Sequence, residues 1–305
     1  ICWFEETDMG SIQSLSFANI PVEADKDDED LNFPEFIVCD SEASINILDA
    51  QNFKEIDVSK KQAKTILKSI KREVLWTSIN ADSTTLAFTT TDGKLYEWEL
   101  WSAEPRLLRD FGSEQSHEIA TVCEYSPDGK YLIAGTSQGN LYVKTDTMNV
   151  SPLLISHKKK GVYVEKMVFS QCSNYLAVSD NYKCVTLFKL GHKYEDKNLP
   201  IEWVFSGKVR AHTAPITDLC FIEPGPKLFS IAQDMTMVQY NVEKSKDYLI
   251  VENYDKIEAN EYPTAITPYP LDVNKENLLL TANTGYKLKL WSGKICRQTV
   301  LGPCF

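Results

Sequence analysis

The chain has 305 residues, 43% of them hydrophobic and 11% aromatic, with modest glycine and proline, so it can bury a large core and most of it should fold. A formal charge of -11 argues against non-specific nucleic-acid binding, which needs a positive surface. No apolar stretch has the length to cross a bilayer and no signal-peptide pattern is read, so neither nucleic acid nor membrane is expected as a partner.

In chain order, Ile12-Gln-Ser-Leu-Ser-Phe17 alternates like a half-buried strand. Phe36-Ile-Val-Cys39 and Ile45-Asn-Ile-Leu48 complete a first set over 12–58. The acidic insert Glu23-Ala-Asp-Lys-Asp-Asp-Glu-Asp30 between them fails the calcium-loop pattern: counted from Asp25, Asp30 and Phe36 stand where glycine and a bidentate glutamate are needed. It reads as a solvated loop. A second set runs over 74–110 from Val74-Leu-Trp-Thr-Ser-Ile79. The third, 117–156, turns on Ser126-Pro-Asp-Gly129, a sequence suited to a tight reversal. The fourth, 157–208, carries Tyr175-Leu-Ala-Val178 and Val185-Thr-Leu-Phe188, with a polar insert from Gly191 to Pro200. The fifth, 212–257, starts at Ile216-Thr-Asp-Leu-Cys-Phe221, and the sixth, 261–301, ends with Ile295-Cys-Arg-Gln-Thr-Val300.

These sets are copies of one another. Leu86-Ala-Phe-Thr-Thr-Thr-Asp-Gly-Lys-Leu-Tyr-Glu-Trp98 aligns with Leu228-Phe-Ser-Ile-Ala-Gln-Asp-Met-Thr-Met-Val-Gln-Tyr240 and Leu279-Leu-Thr-Ala-Asn-Thr-Gly-Tyr-Lys-Leu-Lys-Leu-Trp291. The anchors fall at Leu48, Trp98, Lys144, Phe188, Tyr240 and Trp291, spaced by 50, 46, 44, 52 and 51 residues. A repeat of that period, with short strands in each copy, predicts an all-β propeller. About six blades are visible, and the chain reads as an incomplete excerpt of a seven-bladed ring within a longer protein.

His117, His157 and His212 precede the first strands of blades three to five, and Asp92 and Asp234 each lie six residues before an anchor. This pattern resembles the WD40 family, which implies that His212 and Asp234 hydrogen-bond within their blade. Two departures mark a divergent member: the tryptophan-aspartate dipeptide is absent, and Lys144 replaces an aromatic anchor. A histidine base oriented by a carboxylate would also need a nucleophile or a substrate cleft, so the structural role is the expectation.

Other chemistry is sparse. No phosphate-binding glycine loop occurs, and the four histidines and eight cysteines lack zinc-ligand spacing, so no metal or cofactor is expected. Cys123, Cys172, Cys184 and Cys220 lie among apolar residues of predicted strands, which points to reduced thiols in a reducing compartment. Asn149-Val-Ser151 matches a glycosylation sequon but carries no weight there. The segment Ser59 to Glu73 places Lys60, Lys61, Lys64, Lys68, Lys71 and Arg72 in an acidic chain, with Ile66, Leu67, Ile70 and Val74 at helical spacing. It suits a contact with an acidic partner or calmodulin. The favoured reading is plainer: a charged outer strand of blade one followed by a solvated linker.

From blade four onward the resemblance narrows. Tyr175-Leu-Ala-Val-Ser-Asp180, Val209-Arg-Ala-His-Thr-Ala-Pro-Ile216 and Pro226-Lys-Leu-Phe-Ser-Ile231 are similar to a family of ciliary WD-repeat proteins, the cilia- and flagella-associated proteins of the calmodulin- and spoke-associated complex. So are Glu261-Tyr-Pro-Thr264, Thr284-Gly-Tyr-Lys-Leu-Lys-Leu290 and Cys296-Arg-Gln-Thr-Val-Leu-Gly-Pro303. This resemblance implies a non-enzymatic scaffold of the ciliary axoneme that helps anchor or assemble radial spokes on doublet microtubules. Its partners would be other proteins of that complex and of the spoke base, with calmodulin as a further candidate and the microtubule reached mostly indirectly. The competing readings are a cytoplasmic WD40 adaptor, for instance presenting substrates to a ubiquitin ligase, and an enzyme built on a propeller.

Overall fold

The computed structural model describes the strand backbones of 12–18, 35–40, 45–48 and 151–154, and most of 74–302 with side chains. Its breaks within that last range, apart from 151–154, are 83, 100–101, 103, 113–117, 146–150, 155–160, 193–199, 224 and 270–275. All regular structure among the described residues is β. The chain divides into two units, 1–152 and 153–305.

In the first unit, β1 (Ile12–Ala18), β2 (Glu35–Asp40) and β3 (Ile45–Leu48) form a three-stranded antiparallel sheet. The next blade is a four-stranded meander of β4 (Val74–Ile79), β5 (Thr85–Thr90), β6 (Lys94–Glu99) and β7 (Arg106–Asp110). Then follow β8 (Ala120–Tyr125), β9 (Leu132–Thr136), β10 (Asn140–Lys144) and β11 (Ser151–Leu154), again paired in sequence order. Alternating side chains give each strand an inner face. Ala87, Leu95 and Phe111 of the second blade pack on Ala120, Cys123, Leu132 and Tyr142 of the third. The Arg109 guanidinium lies 4.3 Å from the centre of the Tyr142 ring and 5.1 Å from that of Phe111.

The second unit holds the blades β12 (Val164–Phe169), β13 (Tyr175–Asp180), β14 (Val185–His192), β15 (Ile201–Val209); β16 (Ile216–Ile222), β17 (Lys227–Ala232), β18 (Thr236–Lys246), β19 (Tyr248–Lys256); and β20 (Pro263–Pro268), β21 (Leu278–Asn283), β22 (Lys287–Ser292), β23 (Ile295–Leu301). These are propeller blades, each a sheet that must bury both faces on neighbours. The register repeats with them. The first strands carry a shift near their start, at Val74/Trp76, Ala120/Val122, Val164/Lys166, Ile216/Asp218 and Pro263/Ala265. Such bulges bend a strand and raise its local twist.

One connection departs from a series of separate blades. The outer strands β15 and β19 pair in parallel at Lys208 and Tyr248, merging blades four and five into an eight-stranded sheet. The backbones approach so closely that a Cβ on Gly207 would stand 2.6 Å from the Tyr248 carbonyl carbon and the Leu249 nitrogen. Only glycine fits there without displacement. The Ser206 hydroxyl donates to the Ser245 carbonyl at 3.0 Å beside this junction.

Candidate functional site

The densest polar cluster lies inside blade five. Four elements build it: the loop before β16 brings His212, β17 brings Ser230, the β17–β18 turn brings Asp234, and β18 brings Thr236 and Tyr240. His212 Nδ1 lies 3.2 Å from both Asp234 carboxylate oxygens and 3.1 Å from Thr236 Oγ1, while Nε2 is 2.6 Å from Ser230 Oγ. Ser230 Oγ is in turn 2.8 Å from the Tyr240 hydroxyl. With Nδ1–H donating to Asp234, Nε2 accepts from Ser230, whose oxygen accepts from Tyr240. Asp234 also accepts from the Thr213 backbone N–H at 2.8 Å, the Thr236 N–H at 3.2 Å and the Thr236 hydroxyl.

Burial lowers the His212 pKa, against the opposing pull of Asp234. Burial tends to raise that of Asp234, but donors from Thr236, Thr213 and His212 overcome it and hold it below the usual value. The imidazole is thus neutral at neutral pH and spent on both sides. His212, Ser230 and Tyr240 are almost wholly buried, so the cluster ties strands together and offers no reacting atom to a substrate.

Carboxylates take part in related networks in other blades. Glu118 accepts from the Thr136 hydroxyl, from Asn140 Nδ2 at 2.9 Å and from the Tyr142 hydroxyl at 3.0 Å. Glu258 accepts from Asn283 Nδ2 at 2.9 Å and Lys289 Nζ at 2.6 Å. His117 and His157 lie outside the described residues. Sequence reasoning passed over both glutamates because it searched these loops for histidine; a glutamate shortly before a first strand, with Asn or Thr ending the second strand, was the available signal.

Between blades the polar ties are equally specific. Asp218 accepts from the Leu219 N–H and, in the next blade, from the Ile266 N–H, each at 2.9 Å. Lys144, standing in place of an aromatic anchor, pairs with Glu97 of the preceding blade, which also accepts from the Tyr125 hydroxyl at 2.8 Å. Within blade four, Lys208 pairs with the buried Asp180. Cys123 and Cys220 are buried within strands, but Cys172 is exposed in the β12–β13 turn and Cys184 is half-buried, so those two are not core cysteines.

The basic residues Lys60, Lys61, Lys64, Lys68, Lys71 and Arg72 lie outside the described residues. Among the described residues no three His, Cys, Asp or Glu side chains gather into a metal-binding group. A cleft of about 230 Å³ beside the β16–β17 turn is lined by Lys227, Tyr240, Asn241, Glu243 and Glu252. Two of its liners are already engaged with each other, since Asn241 donates to Glu252. It is also smaller than the ~300–1,000 Å³ usual for ligand pockets.

No family model matches the chain. It is similar to cilia- and flagella-associated protein 251 of Tetrahymena thermophila, 34% identical across 100% of this chain and 35% of that protein. The protein of that name from Mus musculus is 34% identical over 59% of this chain and 14% of its own length. That from Pongo abelii is 26% identical over 99% of this chain and 26% of its own. The chain therefore spans about a third or less of these curated relatives. Among solved structures, a chain in the crystal structure of a mitotic checkpoint complex superposes with a TM-score of 0.57 over 74% of this chain and 65% of its own, at 15% identity. That likeness concerns the fold alone.

Proposed function

We propose that this chain, a WD40-type propeller that resembles cilia- and flagella-associated protein 251 along its whole length, is a non-enzymatic scaffold of the ciliary axoneme that helps anchor or assemble radial spokes. The observation that carries this reading is the similarity across 100% of the chain to a protein named for cilia and flagella. The geometry supports it in a second way. His212, Asp234, Glu118 and Glu258, the groups best suited to chemistry, are consumed in tying strands together. What the blades present outward is a rigid set of strand edges and loops.

Such a platform works by several modest contacts acting together, each raising the effective concentration for the next. Partners would be neighbouring proteins of the calmodulin- and spoke-associated complex and of the spoke base. The chain carries a net charge of -11 and a microtubule exterior is also acidic, so the doublet lattice would be reached through those proteins. The basic 60–72 segment would be the best direct contact with an acidic partner.

The test is fractionation of the full-length protein from motile cilia. The scaffold should remain with axonemes after detergent extraction and leave only at raised salt, together with spoke-base proteins. Full release into the detergent-soluble fraction would overturn the reading.

A further inference from the structure

The first strands of the blades share one position at which blade four differs. Each register shift sets one residue out of the pairing near the strand's start: Thr121 in β8, Glu165 in β12, Thr217 in β16 and Thr264 in β20. The threonines are satisfied within their own sheets. Their hydroxyls donate to the carbonyls of Gly135 at 3.1 Å, Ile231 at 3.2 Å and Ala282 at 3.3 Å. Thr217 also reaches the Pro263 carbonyl of the next blade at 2.7 Å, so this position borders the seam between neighbours.

In blade four the same position holds the half-buried carboxylate of Glu165. An ionised carboxylate only accepts, so it cannot bond a sheet carbonyl as threonine does. Among the described residues it accepts from the Tyr163 hydroxyl. Burial, with the charge of Asp180 added, pushes its carboxyl above the usual value despite that bond and the adjacent Lys166. Two other cations of this blade are committed elsewhere, Lys208 to Asp180 and Lys183 to the Thr213 carbonyl of blade five. A further cation would relieve Glu165.

Two exposed rings stand on the loops beside it, Tyr163 at 41% and Tyr182 at 40% exposure. Reciprocal bonds fix those loops. The Tyr163 N–H donates to Asn181 Oδ1 at 3.0 Å, the Asn181 N–H donates to the Tyr163 carbonyl at 3.2 Å, and Asn181 Nδ2 donates to the Gly161 carbonyl at 2.8 Å. The Tyr182 N–H donates to Asp180 Oδ1 at 3.0 Å. The backbone carrying both rings is therefore already ordered, which lowers the entropy lost on binding.

We propose that Glu165, Tyr163 and Tyr182 receive an arginine side chain from a partner polypeptide. A guanidinium is planar, so it can lie against a tyrosine face while its N–H groups donate to the carboxylate. A lysine ammonium is a compact, strongly hydrated charge that combines the two contacts less well. A metal ion would need more ligands, and no three His, Cys, Asp or Glu side chains gather among the described residues. The site belongs to blade four and serves the scaffold wherever in the cell it works.

The test uses the purified full-length protein on arrays of immobilised peptides with randomised flanks and arginine, lysine, citrulline or glutamate fixed at the centre. The arginine pool should bind best and the citrulline pool, of similar shape without the charge, only at background. Glu165→Gln should lower binding to the arginine pool about tenfold, the effect of losing a charge-assisted pair. Tyr182→Leu should lower it about two- to fivefold, the share of an exposed cation–π contact. Unchanged amide exchange over 164–188 verifies folding, and Tyr182→Leu, in an exposed turn, decides the matter if Glu165→Gln disturbs it. Arginine-pool binding unaffected in the folded variants would overturn the proposal. So would a preference for lysine or glutamate, or arginine binding no better than citrulline.

Discussion

Replacing His212 by alanine isolates what the blade-five network contributes. The imidazole touches Asp234 and Thr236 through Nδ1 and Ser230 through Nε2, and its removal has unequal consequences at the two ends. Asp234 keeps the Thr213 N–H, the Thr236 N–H and the Thr236 hydroxyl, so it loses one charge-assisted bond among several. Ser230 and Tyr240 are both 0% exposed, and without an acceptor at Nε2 one of their two hydroxyl protons is stranded. A lost bond to a carboxylate together with a stranded buried hydroxyl comes to about 2–4 kcal/mol. The effect is best read locally, because a chain of two units need not unfold in one step. Amide exchange in peptides covering 216–240 should accelerate about 30- to 1,000-fold, since each ~1.4 kcal/mol is a factor of ten. Peptides of blades two and three should change little, and partner binding by the folded protein should persist. Unchanged exchange in blade five together with lost binding would refute the structural role and make His212 a contact or catalytic residue.

Three further outcomes follow from the geometry. Acidification should weaken blade five: the folded imidazole has a pKa below its ordinary 6.5, so the unfolded chain takes up a proton that the native blade resists, and stability present above pH 6.5 is lost as pH falls below it. Asp234, also held below its ordinary 3.8, adds a second loss at still lower pH; protection of 216–240 peptides that rose from pH 7.5 to 5, after correction for the intrinsic pH dependence of amide exchange, would contradict the sign for His212. Gly207→Ala should force apart the backbones of β15 and β19, costing about 1–3 kcal/mol as an overpacked contact; faster exchange confined to the outer strands of blades four and five is the expected readout. Reversing charge at Lys64, Lys68 and Lys71 should leave blade stability unchanged, because solvated charges contribute little to folding, while lowering axonemal retention and its salt dependence; superimposable retention curves across a salt series would show that the segment makes no contact.

The sequence carried much of this architecture because a blade is a local object. Its strands are adjacent in the chain, its turns are marked by Asp92-Gly93 and Pro127-Asp128-Gly129, and its anchors recur at a readable period. His212 and Asp234 could be singled out for the same reason, since 22 residues and one hairpin separate them. What stayed hidden depends on neighbours. Lys144 looked like a defect in the repeat until Glu97, 47 residues earlier, supplied its counter-charge. Asp218 reads in the sequence as an ordinary polar position on a strand, yet its second bond goes to Ile266, 48 residues away. The joining of β15 to β19 had no signal beyond Gly207, because a glycine in a strand says that something approaches closely without saying what.

That junction has a mechanical meaning. Side-chain packing between blades resists sliding only as far as its contacts interlock, whereas a backbone pairing must be unzipped before its strands can part. A tensile load applied at the rim of blade four passes through the pairing at Lys208 and Tyr248 directly into the sheet of blade five. At their rim the two blades are therefore joined by backbone as well as by side-chain packing.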